Sequence, residues 1–326
     1  MFERLKNGWR LSSQVRKKIF SDKALLYYSV LSAIIIIAEA SVIFGSFLFI
    51  NIGTFAAASS SSSASSSSLS NAQTADFIVL LFLFYVISSF TSAYMLMALY
   101  IAFKSYSNGV KIGIGQAIGE ASAYVGVLLE WAVFYSIIIM LIRMLESRFR
   151  GVSGALFGFL ASATLSIGLM FAFPVIYEQK TGPLTAMKLS AKTFISHFGS
   201  SVGGIAYSDL YGLMIILLGV VIFIAMIGVA AVVPSISLGA VLAGVVALVI
   251  FIVAGAVIAS TTSSIFKLVL YDYASGRGLP DWLDENLVKS ALVGKRGSAG
   301  RGSMGGFTSD ETSYMNDGSN PYSGKF

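Results

Sequence analysis

Cysteine is absent from this 326-residue sequence, and histidine occurs only once, as His197. Without a thiol the chain can form no disulfide, no zinc–thiolate site, no iron–sulfur cluster and no cysteine nucleophile. A single histidine also excludes sites that need several imidazole ligands. We therefore expect neither a bound metal nor another cofactor.

Charge is also scarce, because Asp, Glu, Lys and Arg together make up only 12% of the residues. A soluble domain carries about 25% charged residues, since its surface faces water. Hydrophobic residues reach 56%, which suits a chain whose surface faces lipid. The net charge of +6 follows from where lysine and arginine lie relative to the membrane, and it does not indicate a nucleic-acid partner.

Long apolar runs are what the sequence does contain. A helix needs about 20 apolar residues to cross the hydrocarbon core, and six runs reach that length. We therefore predict an all-α, polytopic membrane protein with six transmembrane helices. Only Pro234 separates the last two runs, so a single re-entrant hairpin is the alternative there. The six runs are Ala24–Ile50, Phe77–Phe103, Ala123–Met144, Ala155–Tyr177, Leu210–Val233 and Ile236 to about Ile265.

The distribution of lysine and arginine predicts the orientation, since both are enriched in cytoplasmic loops. With six spans and the N-terminus inside, the outside loops hold three of the 22 basic residues. These three are Arg143, Arg148 and Arg150. We predict a multi-pass protein of the plasma membrane with cytoplasmic N- and C-termini.

The membrane domain covers residues 24–275, and five segments lie outside its predicted spans, two of them within the domain and three beside it. The first loop contains a serine tract that suits a flexible linker or, alternatively, an O-glycosylated loop. The sixth helix is expected to continue to about Ala274, with Gly276 or Gly278 as its cap. The segments are a basic amphipathic arm at 1–23, an outside loop at 51–76, a cytoplasmic amphipathic helix at 181–200, a cytoplasmic segment at 276–293 and a disordered Gly/Ser-rich tail at 294–326.

The N-terminal arm has the pattern of a helix that lies on a membrane surface. Phe2, Leu5 and Trp9 recur at helical spacing, with basic residues between and after them. Each basic residue near an anionic leaflet contributes roughly 1 kcal/mol to binding. The arm is therefore a candidate for contact with anionic lipid or a partner protein, although charges that only set the topology explain the same pattern. Its basic residues are Arg4, Lys6, Arg10, Arg16, Lys17, Lys18 and Lys23.

Two carboxylates lie within predicted spans, Glu39 near the middle of the first and Glu130 near the middle of the third. A charge at mid-bilayer costs at least about 2.5–3.5 kcal/mol, so we expect both to face the bundle interior, with no basic residue at comparable depth. They are candidates for a proton, cation or polar-substrate site. The alternatives are a protonated glutamic acid hydrogen-bonded between helices and a contact between subunits.

Three short motifs are weak indicators of function. Gly199–Gly203 matches the Gly-x-Ser-x-Gly nucleophile elbow, but it joins an amphipathic helix to a span rather than a strand to a helix. His197 is too near Ser201 in sequence to suggest a catalytic triad. The small-residue spacings at 154–158 and 240–244 suit close helix packing, within one chain or between copies.

Four groups of residues follow one another in a recognisable order along the chain. They are Arg4–Trp9 with Asp22-Lys23; Trp131-Ala132 with Arg143 and Glu146; Pro174–Glu178 with Gly182–Leu184, Ala186 and Ser190; and Leu270-Tyr271 and Tyr273-Ala274 with Gly278, Pro280, Leu283 and Asp284. Together they resemble an uncharacterised family of prokaryotic multi-pass membrane proteins, a domain of unknown function. The resemblance implies six helices and cytoplasmic ends, but no activity. The Gly-Pro-amphipathic-helix element is also similar, more weakly, to membrane domains that accompany glycerophosphodiester phosphodiesterases.

The sequence thus favours a membrane component without a catalytic site, which associates with lipid, with other membrane proteins or with copies of itself. A small transporter or channel that uses Glu39 and Glu130 is the first alternative. It predicts that both carboxylates meet in one water-accessible cavity. A membrane-embedded lipid hydrolase is the second alternative, for which Ser201 and His197 are the pair to examine.

Overall fold

Most of the residues that the structure describes are helical, and turns and short irregular segments connect the helices. The structure, a computed structural model, describes residues 2–51, 71–148, 170–198, 206–232 and 237–277, with single positions between 156 and 169 and between 280 and 288. A short 3-10 turn at Ser122–Tyr124 joins the fourth and fifth helices. The helices are α1 (Phe2–Ser21), α2 (Ala24–Ile50), α3 (Asn71–Ser107), α4 (Ile114–Ala121), α5 (Val125–Arg148), α6 (Ala172–Gln179), α7 (Pro183–Phe198), α8 (Ala206–Val232) and α9 (Ser237–Ala274).

Among the described residues, five helical stretches are long and apolar enough to cross a membrane, and they overlap five of the six predicted spans. The predicted fourth span, 155–177, lies mostly outside the described residues. Its described positions from 156 to 169 are helical, and a turn at Met170–Phe171 precedes α6. The five stretches are Ala24–Ile50, Thr74–Ser107, Ile114–Glu146, Leu210–Ala230 and Leu238–Ala274.

The buried side chains concentrate at one end of the bundle, which we call the packed end. There α1, α4, α6 and α7 surround the last turns of α3 and α9, and large side chains such as Phe103, Phe171 and Phe266 are almost fully buried. Towards the other end, long apolar side chains remain exposed, for example Val79, Val221 and Val246. Lipid tails are as apolar as these side chains, so a bilayer accounts for their exposure.

Helix α1 packs against the bundle along one face. Leu11, Val15 and Ile19 follow at intervals of four residues and are buried, and α1 contacts α8 and α9. This stripe is a second apolar face, distinct from the one that Phe2, Leu5 and Trp9 suggested, whose side chains lie outside the described residues. The described part of α1 is thus a packed helix of the bundle rather than a helix whose apolar side lies only on lipid.

Helices α8 and α9 form an antiparallel hairpin in which glycines allow close approach. A Cβ atom on Gly212 would lie 2.5 Å from the carbonyl oxygen of Gly255, and one on Gly244 would lie 2.9 Å from Cβ of Met226. The contacts therefore extend along most of both helices. Since each helix is long enough to cross a membrane, the hairpin favours two spans over one re-entrant loop.

The end of α9 matches the expected extension of the last helix. The helix continues to Ala274, and Gly276 follows with a positive φ of 74°. The N–H groups of Ser275, Gly276 and Arg277 donate to carbonyl oxygens of the last helical turn. Glycine is favoured at such a position because it adopts the left-handed conformation without a Cβ clash.

Candidate functional site

Glu39 lies where α2 contacts α3. The hydroxyl of Thr91 donates a 2.6 Å hydrogen bond to its Oε1. Its Oε2 is buried and has no hydrogen-bond partner among the described residues. This geometry suits the interhelical hydrogen bond that the sequence offered as an alternative to a transport site.

Glu130 lies apart from Glu39, on the side of α5 that faces away from the bundle core. It is exposed, and its Oε2 would lie 3.4 Å from a Cβ on Gly182, in the connection between α6 and α7. Because α5 begins at Val125, Glu130 belongs to the second turn of that helix, near the packed end. We expected Glu130 to face the bundle interior, but the structure places it on the exposed side of α5.

The basic residues of the N-terminal arm divide into exposed and packed ones. Arg10, Lys17 and Lys23 are exposed. The ammonium group of Lys18 lies 4.5 Å from the ring centre of Tyr106. The side chains of Arg4 and Lys6 lie outside the described residues.

Arg16 differs most from its expected place on the membrane surface. It is only 7% exposed, and its guanidinium lies 4.4 Å above the ring of Tyr211 on α8 and donates to the hydroxyl of Ser12. Burial lowers the pKa of the Arg16 guanidinium, and the neighbouring Tyr211 partly offsets this effect. Arg16 thus joins α1 to α8 and is not available to a lipid surface.

Two adjoining cavities lie between the membrane helices. Cavity A, of about 430 Å³, is bounded by α2, α3 and α9. Cavity B, of about 510 Å³, is bounded by α2, α3, α5, α9 and residues 169–173. Ile36, Ser92, Leu96 and Ser264 line both cavities, so the two meet at these residues.

The walls of both cavities carry hydroxyl groups and aromatic rings. Cavity A includes five serines, and cavity B includes four serines, three tyrosines, Trp131 and Lys267. Neither Glu39 nor Glu130 lines either cavity. The two carboxylates therefore do not meet in either of these cavities. Transport that uses both of them requires that they meet in one cavity.

A network of four charged side chains ties three helices together at the packed end. The ammonium group of Lys104, on α3, lies 2.7 Å from Oδ2 of Asp272 and 3.8 Å from Oε1 of Glu178. Arg277 pairs with the same two carboxylates. The network therefore joins the ends of α3, α6 and α9.

Sequence reasoning missed both the charged network and Lys267. Lys267 was expected to lie beyond the membrane on the extended last helix, yet it lines cavity B with Trp131 and Tyr135. The helical pattern of α9 alone indicates which residues share a face, but not which helix that face meets. The side chains of His197 and Ser201, together with the serine tract, Gly154 and the C-terminal tail, lie outside the described residues.

These observations define a helical protein whose long apolar helices suit a membrane. The chain belongs to a family of unknown function (DUF6159), whose profile matches residues 74–278. The match covers α3 to α9 and leaves out α1 and α2. Neither a curated protein nor a solved structure matches the chain. The family fits the uncharacterised family that the sequence suggested, while its prokaryotic distribution and the likeness to phosphodiesterase membrane domains stay predictions.

Proposed function

We propose that this protein is a structural, accessory or assembly component of the plasma membrane, without catalytic activity. Its termini face the cytoplasm, and it associates with anionic lipid or with other membrane proteins through the packed end. The outer face of α7 is the observation that carries this proposal.

One face of α7 packs on the bundle and the opposite face does not. Ala186, Ser190 and Phe194 are buried, and the hydroxyl of Ser190 accepts a 2.8 Å hydrogen bond from the N–H of Phe171. On the outer face, Leu184 and Ile195 are 60% and 67% exposed. Because this face is apolar at both ends, it suits the boundary between lipid and water.

Lysines accompany the exposed apolar residues of α7. Lys188 and Lys192 are exposed on this helix, and Arg10, Lys17 and Lys23 are exposed at α1 and its end. The acidic residues Glu178 and Asp272 are meanwhile engaged by Lys104 and Arg277. The outer face of α7 is thus cationic as well as apolar, and it suits anionic head groups or an acidic partner.

The proposal is tested by purifying the tagged full-length protein in a mild detergent and identifying bound proteins and lipids by mass spectrometry. We expect a stoichiometric partner protein or a reproducible enrichment of anionic lipid. The double variant Lys188→Glu and Lys192→Glu should lose this partner or this lipid enrichment, since two charges that attract an anionic surface become charges that repel it. Arg148→Glu, an exposed charge at the far end of α5, is the matched control and should retain it.

A protein that purifies alone, without a partner or an enriched lipid, would contradict the proposal. Proton flux in liposomes would then be compared between the native protein and the variants Glu39→Gln and Glu130→Gln. The separation of these two carboxylates favours the accessory role over transport that uses both of them.

A further inference from the structure

Cavity B has an aromatic lining. Six of the sixteen described residues that line it carry aromatic rings, whereas Tyr28 is the one aromatic residue among those that line cavity A. The volume of about 510 Å³ falls within the roughly 300–1,000 Å³ of small-molecule sites. Of the two cavities, cavity B is therefore the one that suits a flat ring. Its six aromatic residues are Phe84, Tyr85, Tyr100, Trp131, Tyr135 and Phe173.

The rings of cavity B leave room for one more ring to pack against them. On α5, Trp131 and Tyr135 are one helical turn apart, and their ring planes differ by only 9° with centres 6.4 Å apart. Phe173 meets Trp131 edge-on, with centres 4.9 Å apart. Aromatic rings pack in offset or edge-on pairs at about 4.5–7 Å, so a ligand ring in the cavity can make the same kinds of contact.

Cavity B also offers hydroxyl groups without a partner. Within the described part of the protein, the hydroxyls of Tyr85, Tyr135 and Ser89 make no hydrogen bond, whereas that of Ser88 donates to the carbonyl oxygen of Phe84. The oxygens of Tyr85 and Tyr135 are not among the buried polar atoms, so they remain accessible to a small molecule. A hydroxyl in an apolar setting costs free energy when it lacks a partner, and a carbonyl oxygen of a ligand can accept its hydrogen bond.

The lining of cavity B favours an uncharged ligand. Its described residues include no carboxylate, and Lys267, the one cation among them, already has an interaction partner. An ion in such a setting would lose its hydration without an opposite charge to replace it. The ligand that matches both the aromatic rings and the hydroxyls is therefore a neutral ring that bears carbonyl oxygens.

We propose that cavity B binds an uncharged ring compound with carbonyl groups, the chemistry of a quinone. The ring lies against Trp131 and Phe173, and the hydroxyls of Tyr85 and Tyr135 are the donors to its carbonyl oxygens. This site is separate from the outer face of α7, so the inference does not depend on the proposed function.

Trp131 gives a direct readout, because quinones quench tryptophan emission on contact. Duroquinone, a methylated benzoquinone, is titrated into the full-length protein in detergent. We expect saturable quenching that disappears in Trp131→Phe, which keeps the other two tryptophans of the chain. Quenching that rises without saturation, equally in the native protein and in Trp131→Phe, would overturn the site.

The hydrocarbon durene tests whether the carbonyl oxygens are recognised, because it has the same methylated ring without them. Durene is added as a competitor, and its inhibition constant is obtained from the recovery of Trp131 emission. After correction for partition into micelles, this constant should exceed the dissociation constant of duroquinone at least about tenfold. Equal constants would contradict the proposal. The comparison needs only the native protein, so it holds even where a variant fails to fold.

The two hydroxyls are tested by combining Tyr85→Phe with Tyr135→Phe, which keeps both rings. This double variant should bind duroquinone at least about tenfold more weakly and durene as the native protein does. Its unfolding temperature should not fall, since neither hydroxyl has a partner among the described residues. Tyr27→Phe makes the same change on α2, where Tyr27 is 57% exposed, and should leave duroquinone binding unchanged. If the double variant binds duroquinone as tightly as Tyr27→Phe does, the proposal is wrong.

Discussion

At the scale of single residues, Glu39 illustrates how a carboxyl group is accommodated between membrane helices. Its Oε1 accepts the hydrogen bond from Thr91, while Oε2 is buried. Hydrogen bonds between membrane helices contribute on average about 0.6 kcal/mol and at most about 1.7 kcal/mol. The contact is thus a modest link between α2 and α3.

Replacing Glu39 separates the hydrogen bond from the charge. Glu39→Gln keeps an oxygen that can accept from Thr91, so we expect thermal stability in detergent equal to that of the native protein. Glu39→Ala leaves the hydroxyl of Thr91 without this partner and should cost about 1 kcal/mol. Ser41→Ala, whose hydroxyl bonds only within its own helix, is the control and should change stability by roughly 0.5 kcal/mol or less. Equal losses in Glu39→Gln and Glu39→Ala would show that the carboxyl group itself is required.

At the scale of helices, the pairing of α8 with α9 depends on particular glycines rather than on glycine content. Gly212 faces the carbonyl oxygen of Gly255 and Cβ of Ala259, and Gly219 faces Phe251. Gly228 and Gly239, on the same two helices, have no atom within 4 Å of their Cβ direction. Only glycines that face the partner helix, such as Gly212 and Gly219, fix the distance between α8 and α9.

This difference predicts opposite effects for the same substitution. Gly212→Ala places a methyl group 2.5 Å from the backbone of α9, and overpacking of this kind costs about 1–3 kcal/mol. Gly228→Ala should be neutral or stabilise the helix by up to about 1 kcal/mol. Thermal unfolding of both variants in detergent checks the prediction. If Gly212→Ala and Gly228→Ala unfold at the same temperature, the hairpin is not packed as described.

The sequence predicted the membrane helices well because a span is a local property of composition. The predicted runs at 24–50, 77–103, 210–233 and 236–265 overlap the helices that the structure shows. The sequence did not predict partners, because partners depend on which faces meet. The sequence predicted Arg16 as a surface charge, but its side chain is buried against the ring of Tyr211. Lys267 lines a cavity, which no local sequence pattern indicates.

At the scale of the whole molecule, the charged network of Lys104, Glu178, Asp272 and Arg277 closes the packed end. Its members come from three separate parts of the sequence, and they hold the ends of three helices in one place. The side chains of Lys104 and Asp272 are only 22% and 12% exposed. A partly buried charge pair is screened less than an exposed one. Removing this pair should therefore lower the free energy of unfolding of the whole bundle.

The variant Lys104→Met tests whether the charged network stabilises the whole bundle, with the free energy of unfolding as the measured quantity. It removes the ammonium group and leaves Asp272 with Arg277 at 3.8 Å, and we expect a loss of about 1.5–3 kcal/mol in unfolding free energy. Combining it with Asp272→Asn should cost less than the sum of the two single effects. Arg143→Met breaks the pair with Glu146, in which Arg143 is 69% exposed, and should cost no more than about 1 kcal/mol. Equal losses in Lys104→Met and Arg143→Met would contradict a global role for the network.

The α8–α9 hairpin also bears on how the protein is made. Its two helices are consecutive, and α8 packs mainly on α9 and α1. The ribosome delivers α1 before this pair, so the contacts of α1 with α8 and α9 can form only after both helices have been made. The packing of α1 is therefore completed only after synthesis of α8 and α9, and a nascent chain stalled before α8 would lack two of the helices that α1 contacts.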